Sequence, residues 1–327
     1  MRDPLPSPTL SRRAVDTRAI ALFELTFLGT SASAPSVNRG LSAQVVSYRD
    51  HRFLIDCGEG TQRQILRSGL GFRRLNQILI THGHLDHILG LAGLLSSLSH
   101  WEVVQELEIR AGAWALERIS DLLHGVWLRG ARPPFDLRLI PIEEGPFLES
   151  EFFRVSAFPV AHRGPDSFGF AFEEQPHRPF LPERAQELGV PSGPIRRELV
   201  EGRSVTLPDG RRVDPEQVLG AVRRGTRLIH VGDCGSIDRL VEVCWEADGL
   251  VIEATYLDVE ADLARQFGHL TARRAAELAL KADVGHLYLT HISRRYRESE
   301  VLEEAAAVFP NVSVARDLDH FRVRRPD

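Results

Sequence analysis

Lysine is almost missing from this chain: of its 40 lysine and arginine residues, only Lys281 is a lysine. A GC-rich coding genome is a sufficient cause, and thermostability need not be invoked. Cysteine is scarce as well. Cys57, Cys234 and Cys244 are odd in number and widely spaced, which argues against a disulfide framework and fits a reducing cytoplasm. Long apolar runs are absent: Ile88 to Leu98 is too short to span a bilayer and reads as a core helix. The first residues, Met1 to Arg18, hold three prolines and mixed charge but no apolar signal core. Residues 1–21 therefore read as a frayed tail, and no membrane partner is expected. The net charge of −5 argues against indiscriminate nucleic-acid binding but not against a local basic patch. With 43% apolar and 26% charged residues over 327 positions, the chain has the composition of a globular domain with a large core.

What is present is histidine in one place. His82-Gly83-His84-Leu85-Asp86-His87 sets four potential metal ligands within six residues, straight after the apolar run Ile78-Leu79-Ile80. Imidazole and carboxylate are ligands that Zn²⁺ and similar ions prefer. His82 and His84 can point to one side of an extended turn, while Asp86 and His87 open the next element at another angle. That layout suits two adjacent metals better than one.

Six residues cannot enclose two ions, so further ligands must come from elsewhere. Three later segments read as strands, and each delivers a candidate: Phe152 to Val160 before His162, Arg227 to Gly232 before Asp233, and Gly285 to Thr290 before His291. In layered α/β proteins functional residues gather at the carboxyl ends of strands. The pattern assigns His82, His84 and His162 to one metal, Asp86, His87 and His291 to the other, and Asp233 as a bridging carboxylate.

These motifs resemble the metallo-β-lactamase fold. Within it the chain resembles the ribonuclease Z family, through Asp56-Cys-Gly-Glu-Gly-Thr-Gln-Arg-Gln64, Glu253-Ala-Thr-Tyr256, Gly268-His-Leu-Thr271 and Leu289-Thr-His-Ile-Ser-Arg-Arg-Tyr296. Leu188-Gly-Val-Pro-Ser-Gly-Pro194 resembles the Gly-Pro segment of that family's tRNA-gripping arm. The resemblance runs from about Phe27 to His291. It implies a zinc-dependent endoribonuclease that removes the 3′ trailer of precursor tRNA, with two Zn²⁺ per subunit (Mn²⁺ being served by the same ligands) and a homodimeric state. Two departures stand out. Ala34 to Arg39 only approximates a Pro-x-Lys-x-Arg-Asn pattern and lacks its lysine, and Ile252 replaces the histidine of the family's His-Glu-Ala-Thr.

Strands near 23–28, 42–48, 53–55, 152–161, 167–173, 227–232, 249–254 and 285–290 are expected, with helices at 61–68, from Asp86 to about Leu98, near 114–123, and at 237–246 and 271–282. Thr271 is the expected N-cap of the last. Phe168, Phe170 and Phe172 alternate as in a half-buried strand. Strands interleaved with helices imply a layered α/β protein. With the metal turn, the expectation is a metallo-β-lactamase-like αβ/βα sandwich of two mixed sheets with outer helices, spanning 22–327. Residues of about 175–226 are rich in Pro, Gly and Arg and read as an inserted arm. Arg178 to Arg227 holds ten arginines against seven acidic residues, a modest excess suited to phosphate contacts. Arg39, Gly193, Pro194, Arg196 and Arg197 are the candidate substrate-binding residues.

For catalysis, two metals activate water and neutralise phosphate charge. Asp86 is placed to orient the water or take its proton. His269 is the candidate donor to the leaving ribose 3′ oxygen, with Glu253 fixing its tautomer. Glu59 and Gln62 are expected to support the site, Glu59 by orienting a ligand histidine. His51, His100, His124, His177, His230, His286 and His320 are expected to be surface or core residues. The competing functions are a small-phosphodiester hydrolase of the same fold, and a non-catalytic RNA-binding protein stabilised by metal.

Overall fold

The computed structural model describes residues 22–325, so the expected tail at 1–21 lies outside the described residues. Two seven-stranded sheets pack face to face. The first runs, edge to edge, through His320–Val323, Phe23–Gly29, Ala43–Tyr48, His51–Ile55, Gln77–Leu79, Glu106–Ala111 and Asp136–Pro141. The second runs through Val312–Val314, Leu287–Thr290, Gly249–Glu253, Arg227–His230, Phe168–Glu174, Phe153–Pro159 and Gly145–Glu149. Both mix parallel and antiparallel pairs.

Alternation along the strands builds the layers. Leu79 and Val251 turn into the seam between sheets with Phe23, Phe53, Phe153, Phe170 and Phe172. Their neighbours Ile78 and Ile252 turn outward, each under a helical layer. The helices Thr61–Arg67, Leu91–Trp101 and Ala113–Leu122 cover one sheet, and Leu240–Cys244, Ala272–Lys281 and Glu298–Ala306 cover the other. The αβ/βα sandwich expected from sequence is the fold observed.

Two local readings change. The helix expected from Asp86 to Leu98 is two helices, Leu85–Ile88 and Leu91–Trp101. They part at Gly90, where a Cβ would stand 2.1 Å from the Gly58 carbonyl oxygen. Phe168–Glu174 is not half-buried: Gly169 and Ala171 are covered as fully as Phe170 and Phe172, because helices lie over the sheet's other face. Residues 175–226, the expected inserted arm, also pack internally. Ala185, Val190, Leu199, Val205, Leu207, Val213 and Val218 form a core of their own, with two short helices, Pro182–Glu187 and Pro194–Val200, around it.

The expected Thr271 cap is present, its side chain accepting from the Arg274 amide. It starts a helix whose alanines pack on the second sheet.

Candidate metal centre

Every strand that ends in a candidate ligand delivers it to one place. His82 and His84 sit past Gln77–Leu79, His162 past Phe153–Pro159, Asp233 past Arg227–His230 and His291 past Leu287–Thr290. Potential ligand atoms of His82, His84, His162 and Asp233 lie within 4.8 Å of one another, as do those of Asp86, His87 and His291. Asp233 joins the two groups. Its Oδ2 is 3.8 Å from His82 Nε2, 3.8 Å from His162 Nε2 and 3.5 Å from His87 Nε2, while Oδ1 is 3.4 Å from His291 Nε2. Asp86 Oδ2 faces the second group, 3.7 Å from His87 Nε2 and 3.5 Å from His291 Nε2.

The backbone is shaped to serve this convergence. His291 takes φ +55°, a left-handed conformation that costs a non-glycine residue free energy and clusters at functional sites. Gly83 and Gly164 seat the two ligand-bearing turns against Trp114. A Cβ on either would meet its ring, at 3.0 and 3.2 Å respectively. The same indole stands edge-on to His84 at 5.8 Å.

Four of the five ligand imidazoles are held from behind. His87 Nδ1 lies 2.7 Å from Asp56 Oδ2, and His82 Nδ1 lies 3.0 Å from the Thr81 hydroxyl, which itself bonds Asp56. His162 Nδ1 meets the Gly268 carbonyl at 2.7 Å, and His291 Nδ1 meets the Thr255 hydroxyl at 2.9 Å. Such partners fix ring orientation and tautomer in metal sites. The support expected from Glu59 is supplied by Asp56 instead. Glu59 is exposed, and Gln62 bonds Ser97.

Electrostatics fits a cation. Burial, then the neighbouring His87, hold the His82 imidazole well below its ordinary range. Burial also takes His84 down to about 4 and lowers His162. Neutral imidazoles are the form that ligates metal. Burial would lower His87 too, but Asp56, Asp233 and Asp86 outweigh it and raise it well above the ordinary range. Burial would raise Asp86 and Asp233, yet the facing histidines hold both well below the usual carboxylate range. The carboxylates thus create a field that demands positive charge. Among the described residues, Nε2 of His87 and of His291 are buried with no hydrogen-bond partner, and each faces carboxylate oxygen at 3.4–3.7 Å. Orphaned buried nitrogens are rare. A cation seated among them is the arrangement that satisfies both, so the residues fit a bound metal.

Beside this cluster His269 and Glu253 form a pair. His269 Nδ1 is 2.8 Å from Glu253 Oε1, which also accepts the Cys234 amide at 2.7 Å. Burial works against a proton on His269, but Glu253 outweighs it and raises the imidazole to about 9. Ile252, which stands where the family often has histidine, points to the opposite face and packs under the helices. Its identity therefore leaves Glu253 where it is.

The candidate substrate residues are not at this site. Arg39 does not line the cavity that opens beside these ligands, as His84, Asp86, Asp233 and His269 do. Its guanidinium bonds the Thr30 hydroxyl and the Ala315 carbonyl, each at 2.6 Å, and pairs with Glu298 at 2.9 Å. Gly193 and Pro194 begin the second helix of the inserted segment. Arg196 donates to the Val190 carbonyl at 2.9 Å, and Arg197 pairs with Glu201 at 2.6 Å. Seven arginines and seven acidic residues occupy Arg178 to Gly220, and most of the arginines pair within it. The basic excess read from sequence comes from Arg223, Arg224 and Arg227, of which Arg224 binds Asp248 and Arg227 binds Glu173. Of the seven histidines set aside, His51, His100, His124, His177 and His320 are exposed, His286 is partly covered and His230 is buried.

Comparison with known proteins places this geometry. A family model described as Anti-Pycsar protein Apyc1 matches residues 23–175. A ribonuclease Z of Bradyrhizobium diazoefficiens is 48% identical over 302 residues, covering 92% of this chain and all of that one. The human short-form tRNase Z structure is 28% identical with a TM-score of 0.65, covering 92% of this chain and 100% of that one. The metallo-β-lactamase fold protein YhfI of Bacillus subtilis has the same TM-score, 0.65, at 16% identity over 92% of this chain and 99% of that one, and so shares the fold.

Proposed function

The chain belongs to the ribonuclease Z family, and from that premise we propose that it is a metal-dependent endoribonuclease that removes the 3′ trailer of precursor tRNA. The products on this reading are tRNA ending in a 3′-hydroxyl and a trailer beginning with a 5′-phosphate. The observation that carries it is the full-length match to a named ribonuclease Z, which spans both the His/Asp cluster and the inserted segment.

We assign His82, His84, His162 and Asp233 to one ion and Asp86, His87, His291 and Asp233 to the other, with zinc as the metal and Mn²⁺ accommodated by the same donors. When bound, the pair supplies Lewis-acid activation of water and neutralises charge on the phosphate oxygens. Asp86 lines the cavity as an ionised carboxylate and orients the attacking water or accepts its proton. As the water oxygen bonds to phosphorus, the bond from phosphorus to the ribose 3′ oxygen breaks. His269 gives that oxygen its proton. Its Nδ1 is committed to Glu253, which leaves Nε2 for the substrate.

The inserted segment serves as the tRNA-holding arm on this reading, gripping folded RNA by shape rather than by a large charge excess. Its separate core supports that role, because a hydrolase of small diesters has no use for such a unit. The reading extends to a cytoplasmic homodimer, supported by family membership and three free buried cysteines. No helix among the described residues is long and apolar enough to cross a membrane. End-group analysis tests the reaction. The trailer should be degraded by a 5′-phosphate-dependent exonuclease without prior phosphorylation, and a trailer bearing a 5′-hydroxyl would overturn the assignment.

A further inference from the structure

A cavity of about 350 Å³ opens beside the metal centre, with room for a nucleotide rather than a folded stem. Among its lining residues, Arg163 and Phe267 have no part in the hydrolytic step. Phe267 closes the helix Ala261–Phe267 and is 38% exposed. A lone exposed phenylalanine is ordinary on a protein surface, but this one is met by a cation. The Arg163 guanidinium carbon lies 5.9 Å from the Phe267 ring centroid. Its stem crosses Gly268, where a Cβ would stand 2.8 Å from Arg163 Cγ and where φ is +70°. Glycine at that position is what lets the two side chains meet.

Arg163 makes no ion pair among the described residues, unlike Arg295 in the same cavity, which binds Glu260 at 3.0 Å. An arginine stacked on an aromatic ring and lacking a carboxylate offers a flat surface for a base and a donor fork for a phosphate.

Phe267 and the proton donor flank Gly268 and line one cavity. Gly268 holds His162 through its carbonyl, and His269, the proton donor assigned above, follows it. On the trailer-removal reading the ribose whose 3′ oxygen departs lies beside His269, which lines the same cavity as Phe267. We propose that Phe267 and Arg163 form a stacking platform for the base of the nucleotide immediately 5′ to the scissile phosphate, the unpaired last nucleotide of the tRNA body. This rests on the trailer-removal reading. Phe267 is thus a specificity-determining residue that acts through a π face, tolerant of base identity but dependent on a base being there.

The test crosses protein and substrate variants. A precursor tRNA and the same RNA with an abasic site at that nucleotide are cleaved by the wild type, Phe267→Ala, Phe267→Leu and Phe267→Tyr, and kcat/KM is measured for each. The wild type should cleave the abasic RNA of order 10-fold less efficiently, the scale of one base–aromatic stack. Phe267→Ala and Phe267→Leu should treat the two RNAs alike, and Phe267→Tyr should restore the preference. Arg163→Ala should weaken cleavage of both RNAs, with Arg163→Lys restoring part. Full base preference in folded Phe267→Ala and Phe267→Leu would overturn the platform, and so would a wild type indifferent to the abasic site. A wild type that leaves the intact precursor uncut would instead bring down the reading beneath it.

Discussion

Asp56 stands directly behind His87, its Oδ2 lying 2.7 Å from the imidazole Nδ1. The carboxylate is buried at φ +59° and is also bound by the Thr81 amide at 2.8 Å. Through the Thr81 hydroxyl it reaches His82 as well. One residue therefore orients a histidine in each ligand group. Asp56→Asn keeps the volume but removes the charge, and it should weaken metal affinity by ~10–100-fold, the usual effect of losing such a partner. Competition with a chromogenic chelator measures this. Unchanged affinity would show that Asp56 is only a structural carboxylate.

Glu253 should control the alkaline limit of the reaction. His269 has its affinity for a proton raised, to about 9, so the donor is loaded at neutral pH and emptied as pH rises through that value. In Glu253→Gln the burial that lowers the imidazole remains and the carboxylate that raises it is gone. The high-pH limb of kcat should therefore move to lower pH. His269→Ala should abolish that limb and cost ~10²–10⁴-fold in kcat. A pH–rate profile of the three proteins decides it, and coincident limbs in wild type and Glu253→Gln would refute the pairing.

The inserted segment can be removed cleanly at a point set by its backbone. His177 and Arg223 exchange amide–carbonyl hydrogen bonds at 3.0 and 2.9 Å, so the segment leaves and returns side by side. Replacing 178–222 with a two-residue Asn-Gly turn should leave a folded protein that hydrolyses a small chromogenic phosphodiester but no longer cleaves precursor tRNA. Deleting only 178–203 would strip Ala185, Val190 and Leu199 from the small core and expose Val205, Leu207, Val213 and Val218. That variant should unfold at lower temperature. Equal loss of both activities in a folded 178–222 deletion would remove the arm's assigned role.

Most of the candidate ligands were legible because they follow a short apolar strand, and strand ends are easy to read where an apolar run stops at His or Asp. Asp86 and His87 stood out by sharing one turn with His82 and His84. The Thr271 cap and the outer helix it begins were legible for the same local reason. Asp56 as a ligand-orienting residue was not. It follows the apolar run Phe53-Leu54-Ile55, the same signal that marks the ligands, but it reaches His87 only because His51–Ile55 pairs in parallel with Gln77–Leu79. The core of the inserted segment was hidden because Ala185, Val190, Leu199 and Val218 are too irregularly spaced to show a period. Arg39 was misleading in another way. Its partners Ala315 and Glu298 lie more than 250 residues along the chain, beyond the reach of any local pattern.

The central claim is that the His/Asp cluster holds the metals that drive precursor cleavage. The most direct measurement is trailer release from a 3′-extended precursor tRNA by purified protein, with and without chelator, beside Asp86→Ala. An intact trailer should be released, and release should stop on chelation, return with Zn²⁺ or Mn²⁺, and be lost in Asp86→Ala. Cleavage that persists in the chelated protein, or in Asp86→Ala at the wild-type rate, would contradict it.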